Sequence, residues 1–275
     1  MMKTSKARKN FKSKFGQTNH FLITCLVGLD AIREKIITEK SDSFSTSWNP
    51  KSPVRSAERS REFVLKSFLA TTVDAIDMYL CEIFKWREHL TNKEIVKIYD
   101  SNGRSIWNKA TKLGDYYELE KPLTELVEIL ITWRNNVVHF NVQNMVRDET
   151  KETIKDYSDS IIEEFRGMDA SNIVEKAEKG LAFSFKEAAS LIHAAHEFVM
   201  KLDEKIISDI DIEGLCIKTV ENQLKEEKFF LKYHRKQGKD RNNLIDNFLH
   251  NTIGIDHVPD EILLACSTIP KKKKK

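Results

Sequence analysis

From Ala57 to Glu88 the chain runs without a glycine or a proline. Along that stretch Leu65, Leu69, Thr72, Ile76, Tyr79 or Leu80, and Ile83 recur every three or four residues. A stripe of that period sustained over many turns predicts a long helix with one buried face, and it must be covered by other helices. The rest of the chain supports this, because 275 residues hold only 9 Gly and 5 Pro, too few for the turns that an all-β fold requires. The expected class is all-α, an antiparallel helical bundle, and the length suffices to bury a full core.

Residues 1–18 read as a flexible basic arm, and Leu22, Leu26, Leu29, Ile32 and Ile36 predict a first helix from about Asn19 to Lys40. The serine-rich stretch 41–56, broken by Pro50 and Pro53, predicts a loop. Thr91 with Glu94 predicts a capping box for a short helix closed by Asn102-Gly103, and a second short helix over about 104–113 is expected to stop at Gly114. Pro122 suits the first turn of a further helix, whose apolar positions Leu123, Leu126, Ile129, Leu130 and Trp133 lead into Arg134. Residues 148–165 predict an exposed helix and 167–180 a connector, and Ser184 with Glu187 predicts a capped helix to about Ile210. A bundle over 19–212 is expected. It is followed by a small basic helical appendage, residues 213–270, with a helix over 215–236, another near 244–250 and a last one from Pro259, and by a lysine tail, residues 271–275.

The net charge of +3 conceals an asymmetry. Six lysines and arginines and no acid lie in residues 1–29, eight against four acids lie in 216–241, and the tail adds five more, so residues 30–215 sum to −8. Basic ends on an acidic body can gather a polyanion while the body does something else; solvated termini without a partner are the plainer reading. The cysteines Cys25, Cys81, Cys216 and Cys266 form no CxxC pair and are expected to be reduced, mostly buried thiols. With no apolar run approaching the ~20 residues of a membrane span and no convincing signal peptide, a cytoplasmic location without membrane contact is expected.

One short stretch carries chemistry. Trp133-Arg134-Asn135-Asn136-Val137-Val138-His139-Phe140 places an arginine, two amides and a histidine at the end of an apolar helix. Arginine holds a phosphate by paired hydrogen bonds and histidine moves protons near neutral pH, a pairing that suits metal-free phosphodiester chemistry. Chance supplies only ~0.02 Arg-Asn-x3-His occurrences in a chain of this composition, so the pattern is fairly specific. Residues five apart lie about 140° from each other on a helix, so one copy of Arg134 and His139 does not share a face, whereas two copies across a dyad could surround one phosphate. Asn135 and His139 do share a face, which suits Asn135 to orient the imidazole. The competing reading has Arg134 bridging to Glu128 or Asp74 and His139 as a satisfied core histidine.

Here the sequence resembles the HEPN superfamily (higher eukaryotes and prokaryotes nucleotide-binding), whose signature is Arg followed by His four to six residues later. Arg134-Asn135-Asn136-Val137-Val138-His139 matches, within a resemblance spanning about residues 20–210. The resemblance implies an all-α, homodimeric, metal-independent endoribonuclease without cofactor, of a bacterial toxin–antitoxin or anti-phage system, with an antitoxin or regulator as possible partner. It implies that Arg134 and His139 are catalytic and that RNA is cut by its own 2′-hydroxyl to leave 2′,3′-cyclic phosphate and 5′-hydroxyl ends. Some members are non-catalytic. One subgroup continues His-x-Tyr, where this chain has Asn141, so modification of such a tyrosine is not implied.

Lys228, Lys232, Arg235 and Lys236 are the candidate RNA-binding residues, and Tyr233-His234-Arg235-Lys236 mixes aromatic and basic side chains as single-strand binders do. The same region is open to a helical DNA-binding regulator. His193 and His196 lack a clear third ligand and read as core-edge packing, while Asp74 and Asp77 either pair with Arg134, line a cleft or lie on a solvated face.

Overall fold

The computed structural model describes residues 2–41, 43, 45, 47–138 and 143–269. Among them are thirteen α-helices, one 3₁₀ helix and no β-strand, the all-α class that the apolar periodicity predicts. In chain order these are α1 (Lys6–Arg33), α2 (Pro53–Ile83), the 3₁₀ helix (Phe84–His89), α3 (Lys93–Ser101), α4 (Ile106–Tyr116), α5 (Leu123–Val138) and α6 (Asp148–Asp156). There follow α7 (Ser158–Glu164), α8 (Ala170–Lys179), α9 (Phe185–Ser208), α10 (Ile212–Gln223), α11 (Glu227–Arg235), α12 (Gly238–Ile253) and α13 (Asp260–Ser267). Among the described residues no helix is long and apolar enough to cross a membrane.

The contacts divide the chain into two units, and α1, α2 and α9 contribute residues to both. One unit comprises Lys12–Asp77 and Ser105–Phe198. Its central element is α5, whose residues from Leu123 to Trp133 are all buried, with α4, α6 and α8 packed against it. The other comprises Met1–Phe11, Met78–Arg104 and Val199–Lys275. The helices after residue 213 therefore share a unit with the chain's beginning and with 78–104, a division different from the expected bundle and appendage. The lysine tail 271–275 lies outside the described residues.

The expected basic arm is instead helical from Lys6, and the reason lies in apolar residues hidden among the lysines. Ala7, Phe11 and Phe15 recur at helical spacing and are buried. In the second unit the start of the chain is anchored by Asp203, a fully buried carboxylate that accepts hydrogen bonds from the Ser5 hydroxyl, the Ser5 amide at 3.0 Å and Tyr79 Oη at 3.2 Å. Burial pushes this carboxyl above its ordinary range, and the bonds from Ser5 oppose that shift without reversing it. Gly254, the left-handed cap of α12 at φ +86°, allows the α1 backbone to pass closely. A Cβ there would lie 2.8 Å from the Lys6 nitrogen.

Other differences have local causes. Asn92, not Thr91, caps α3 by accepting from the Glu94 amide at 3.2 Å, because the Thr91 hydroxyl donates to the Asp209 carbonyl instead. Gly114 does not end α4; the helix continues to Tyr116, and Thr124 of α5 packs where a side chain at Gly114 would stand. The expected connector 167–180 contains α8, capped by Asp169 and closed by Gly180 at φ +63°. The expected helix over 215–236 is two, α10 and α11. At Ser184 the capping box forms as predicted: the Glu187 amide donates to Ser184 Oγ at 3.2 Å and the Ser184 amide to Glu187 Oε2 at 2.7 Å. Cys25 and Cys81 are exposed, contrary to the expectation for the thiols, while Cys216 and Cys266 are buried. Burial pushes the latter two up to about 12 and about 11.

Candidate functional site

Helix α5 leaves the core at one identifiable step. Trp133 is completely buried, donating Nε1–H to the Leu181 carbonyl at 2.7 Å and packing on the Phe183 ring. The next four residues are half-buried, because the apolar run of α5 is spent and Arg134, Asn135 and Asn136 require polar partners.

Arg134 finds them sideways. Its Nη2 donates to Asp74 Oδ1 of α2 at 2.9 Å and its Nη1 to Asn135 Oδ1 at 3.2 Å. The arginine side chain is 21% exposed and the aspartate 64%, so the pair sits at the rim of the packing, with its carboxylate mostly in water. Of the two acids that the sequence offers Arg134, Asp74 is the partner. Glu128 is fully buried and held by others: the Arg147 amide at 2.8 Å, Arg147 Nε at 2.7 Å and the Thr150 hydroxyl at 2.6 Å. His139 and the residues through 142 lie outside the described residues, as therefore do its relation to Arg134 and to Asn135 and the position of Asn141.

Asn136 is the residue that sequence reasoning passes over. Its amide nitrogen donates to the carbonyls of Asn144 at 2.9 Å, Ala177 at 2.9 Å and Glu178 at 3.2 Å, and its oxygen accepts from the Asn144 backbone at 2.7 Å. One side chain thus ties the end of α5 to the return of the chain at Asn144 and caps two carbonyls at the end of α8, which helical geometry leaves open. Spacing alone does not distinguish Asn135 from Asn136; the partners of Asn136 are contributed by residues up to 42 positions away.

The candidate RNA-binding residues belong to the other unit. Lys228, Lys232 and Arg235 lie on α11, with Lys236 as its C-terminal cap; all four are exposed, and none forms an ion pair with another described residue. An adjacent side of α11 carries Phe229 and Tyr233, both buried. Tyr233 is therefore no stacking platform: its hydroxyl donates to the Cys266 carbonyl at 2.7 Å, and the Arg241 guanidinium covers its ring at 4.8 Å. The aromatic pair nearer the surface is Phe230 and His234, half-buried with ring centroids 4.2 Å apart. Phe230 escapes a reading that follows only the basic residues.

The ring of His193, an exposed residue, lies 5.8 Å from that of Phe165, and the ring of half-buried His196 lies 6.3 Å from that of Phe15. Among the described residues no group of three or more His, Cys, Asp or Glu is placed to hold a metal ion. No protein-family model, no curated protein and no solved structure matches the chain. What fold and site define together is an all-α protein whose Arg-Asn-x3-His segment begins in the last turns of the buried helix α5.

Proposed function

We propose that the chain is a metal-independent endoribonuclease of HEPN type, acting as a homodimer in a bacterial toxin or anti-phage defence system. The observation that carries the reading is the setting of Arg134, a guanidinium where helix α5 leaves the buried core, whose carboxylate partner is largely solvated. An exposed carboxylate is a weak competitor, worth roughly 0–1 kcal/mol, so a substrate phosphate can take its place at little cost. His139 removes the proton of the 2′-hydroxyl, and His139 of the second copy, or water, protonates the 5′-oxygen as it leaves. Arg134 neutralises charge on the pentacoordinate phosphorus. The basic face of α11 supplies a non-specific hold on the RNA backbone.

The test is incubation of the purified chain with single-stranded and structured RNA in EDTA. Cyclic-phosphate ends are expected, and they disappear in His139→Ala and in Arg134→Ala. Neutralising Lys228, Lys232, Arg235 and Lys236 together weakens RNA binding and flattens its salt dependence, by about 0.7 in slope for each phosphate no longer neutralised. Intact RNA with the folded wild type across substrates refutes the nuclease.

The ion pair between Arg134 and Asp74 also favours a second reading, since it is the interaction expected of a non-catalytic HEPN-type binding or regulatory module. In that case RNA stays intact and Arg134→Ala acts through stability alone. A duplex-DNA regulator using α11 is distinguished by DNA binding that survives His139→Ala.

A further inference from the structure

Within the unit built on α5, a cleft of about 570 Å³ opens beside the turn from α4 into α5 and the beginning of α6. Its size falls in the range of small-molecule sites. Five of its lining residues are carboxylates, Asp115, Glu118, Glu120, Glu125 and Glu149, against two cations, Lys121 and Arg147. Arg147 is already committed to Glu128 and Asp115.

Two buried polar atoms of the lining residues have no hydrogen-bond partner among the described residues: Thr124 Oγ1 and Glu125 Oε2. Thr124 is 2% exposed, and its hydroxyl is its whole side-chain capacity for hydrogen bonding. A carboxylate oxygen and a hydroxyl left unpaired on neighbouring residues of a helix are uncommon, because each forfeits its hydration without compensation. The other oxygen of Glu125 is held by the Lys121 ammonium, four residues earlier. That pair is lopsided: the lysine side chain is 45% exposed and the glutamate 3%. An ammonium on a flexible stem therefore covers a buried acid from the solvent side and can swing away.

We propose that this cleft binds a small organic ammonium compound, a diamine or polyamine, and that the Lys121 ammonium occupies the ligand's place in its absence. One ammonium of the ligand displaces Lys121 and donates to Glu125 and Thr124. A second is held at the rim by Glu118 and Glu149, both exposed and neither ion-paired with a described residue. A metal ion fits less well, since the carboxylates are spread along the wall and none of the described groups gathers three ligands at one point.

The test is isothermal titration calorimetry of the full chain with spermidine, and separately with magnesium chloride, in about 0.15 M salt, where long-range attraction is largely screened. One-site binding of spermidine is expected. It weakens about tenfold in Thr124→Val and in Glu125→Gln, as removal of one charge-assisted hydrogen bond requires. It strengthens in Lys121→Ala, which removes the competitor. Thr124→Val keeps the shape of the residue and decides the matter even if Glu125→Gln does not fold. Absence of saturable spermidine binding, equal affinity in the wild type and Thr124→Val, weaker binding in Lys121→Ala, or saturable binding of magnesium alone each overturns the proposal.

Discussion

Asn136 and Asn144 hold each other by backbone and side chain at once. The Asn144 amide donates to Asn136 Oδ1 at 2.7 Å, and Asn136 Nδ2 donates back to the Asn144 carbonyl at 2.9 Å. The segment that carries His139 is therefore bracketed by two residues tied together, and the tie extends to the end of α8. Asn136→Ala is expected to lower stability by about 2–3 kcal/mol, since it removes several part-buried hydrogen bonds at roughly 1 kcal/mol each, and to reduce RNA cleavage with it. Asn135→Ala, which gives up one hydrogen bond from Arg134, is expected to change stability by no more than about 1 kcal/mol. Urea denaturation of both variants, beside cleavage assays, separates the two amides.

Asp74 offers a test of what Arg134 is for. With its carboxylate mostly in water, Asp74→Asn is expected to alter stability by no more than about 1 kcal/mol. If Arg134 engages a phosphate, removal of the competing carboxylate lowers KM for RNA and leaves kcat near the wild-type value. An Asp74→Asn protein that loses cleavage while remaining folded would instead show that the pair has to stay intact during turnover.

Asp203 predicts a pH dependence of a particular sign. Because burial raises its carboxyl above the ordinary range, the folded state binds a proton more tightly there than the unfolded chain does. Its contribution to stability is complete below the ordinary aspartate value, about 3.9, and declines as pH rises through the raised value. Asp203→Asn does not titrate. The stability of the wild type relative to Asp203→Asn is therefore expected to fall as pH rises above the ordinary aspartate value and through the raised one, measured by urea unfolding in a buffer series. A difference that grows with pH contradicts the assignment.

Two glycines with positive φ separate backbone strain from crowding. Gly238, at φ +48°, has nothing within 4 Å of where a Cβ would stand, so Gly238→Ala is expected to cost about 1 kcal/mol, the conformational penalty alone. Gly254→Ala adds a collision with the Lys6 backbone and is expected to cost clearly more than about 1 kcal/mol. Melting temperatures of the two variants give the comparison directly.

The long stripe from Leu65 to Ile83 and the reciprocal cap of Ser184 and Glu187 could be read along the chain because each depends on residues within a few turns of one another. The approach of α5 to Arg134 was equally legible, since a largely apolar stretch from Leu123 to Trp133 ends there. Local information failed where a distant partner decided. Lysines hid Ala7 and Phe11, whose burial rests on residues such as Tyr79, and Gly114 looked like a stop until Thr124 occupied its empty side. Tyr233 looked like part of a binding surface, although the Cys266 carbonyl draws its hydroxyl inward. The Arg-Asn-x3-His order belongs to the sequence alone. That Arg134 turns to Asp74 and not to Glu128, and that Asn136 rather than Asn135 carries the tie to Asn144 and α8, was decided only in the tertiary structure. A hydrogen bond is short-ranged, and chain folding alone chooses which distant donors and acceptors come within about 3 Å of each other.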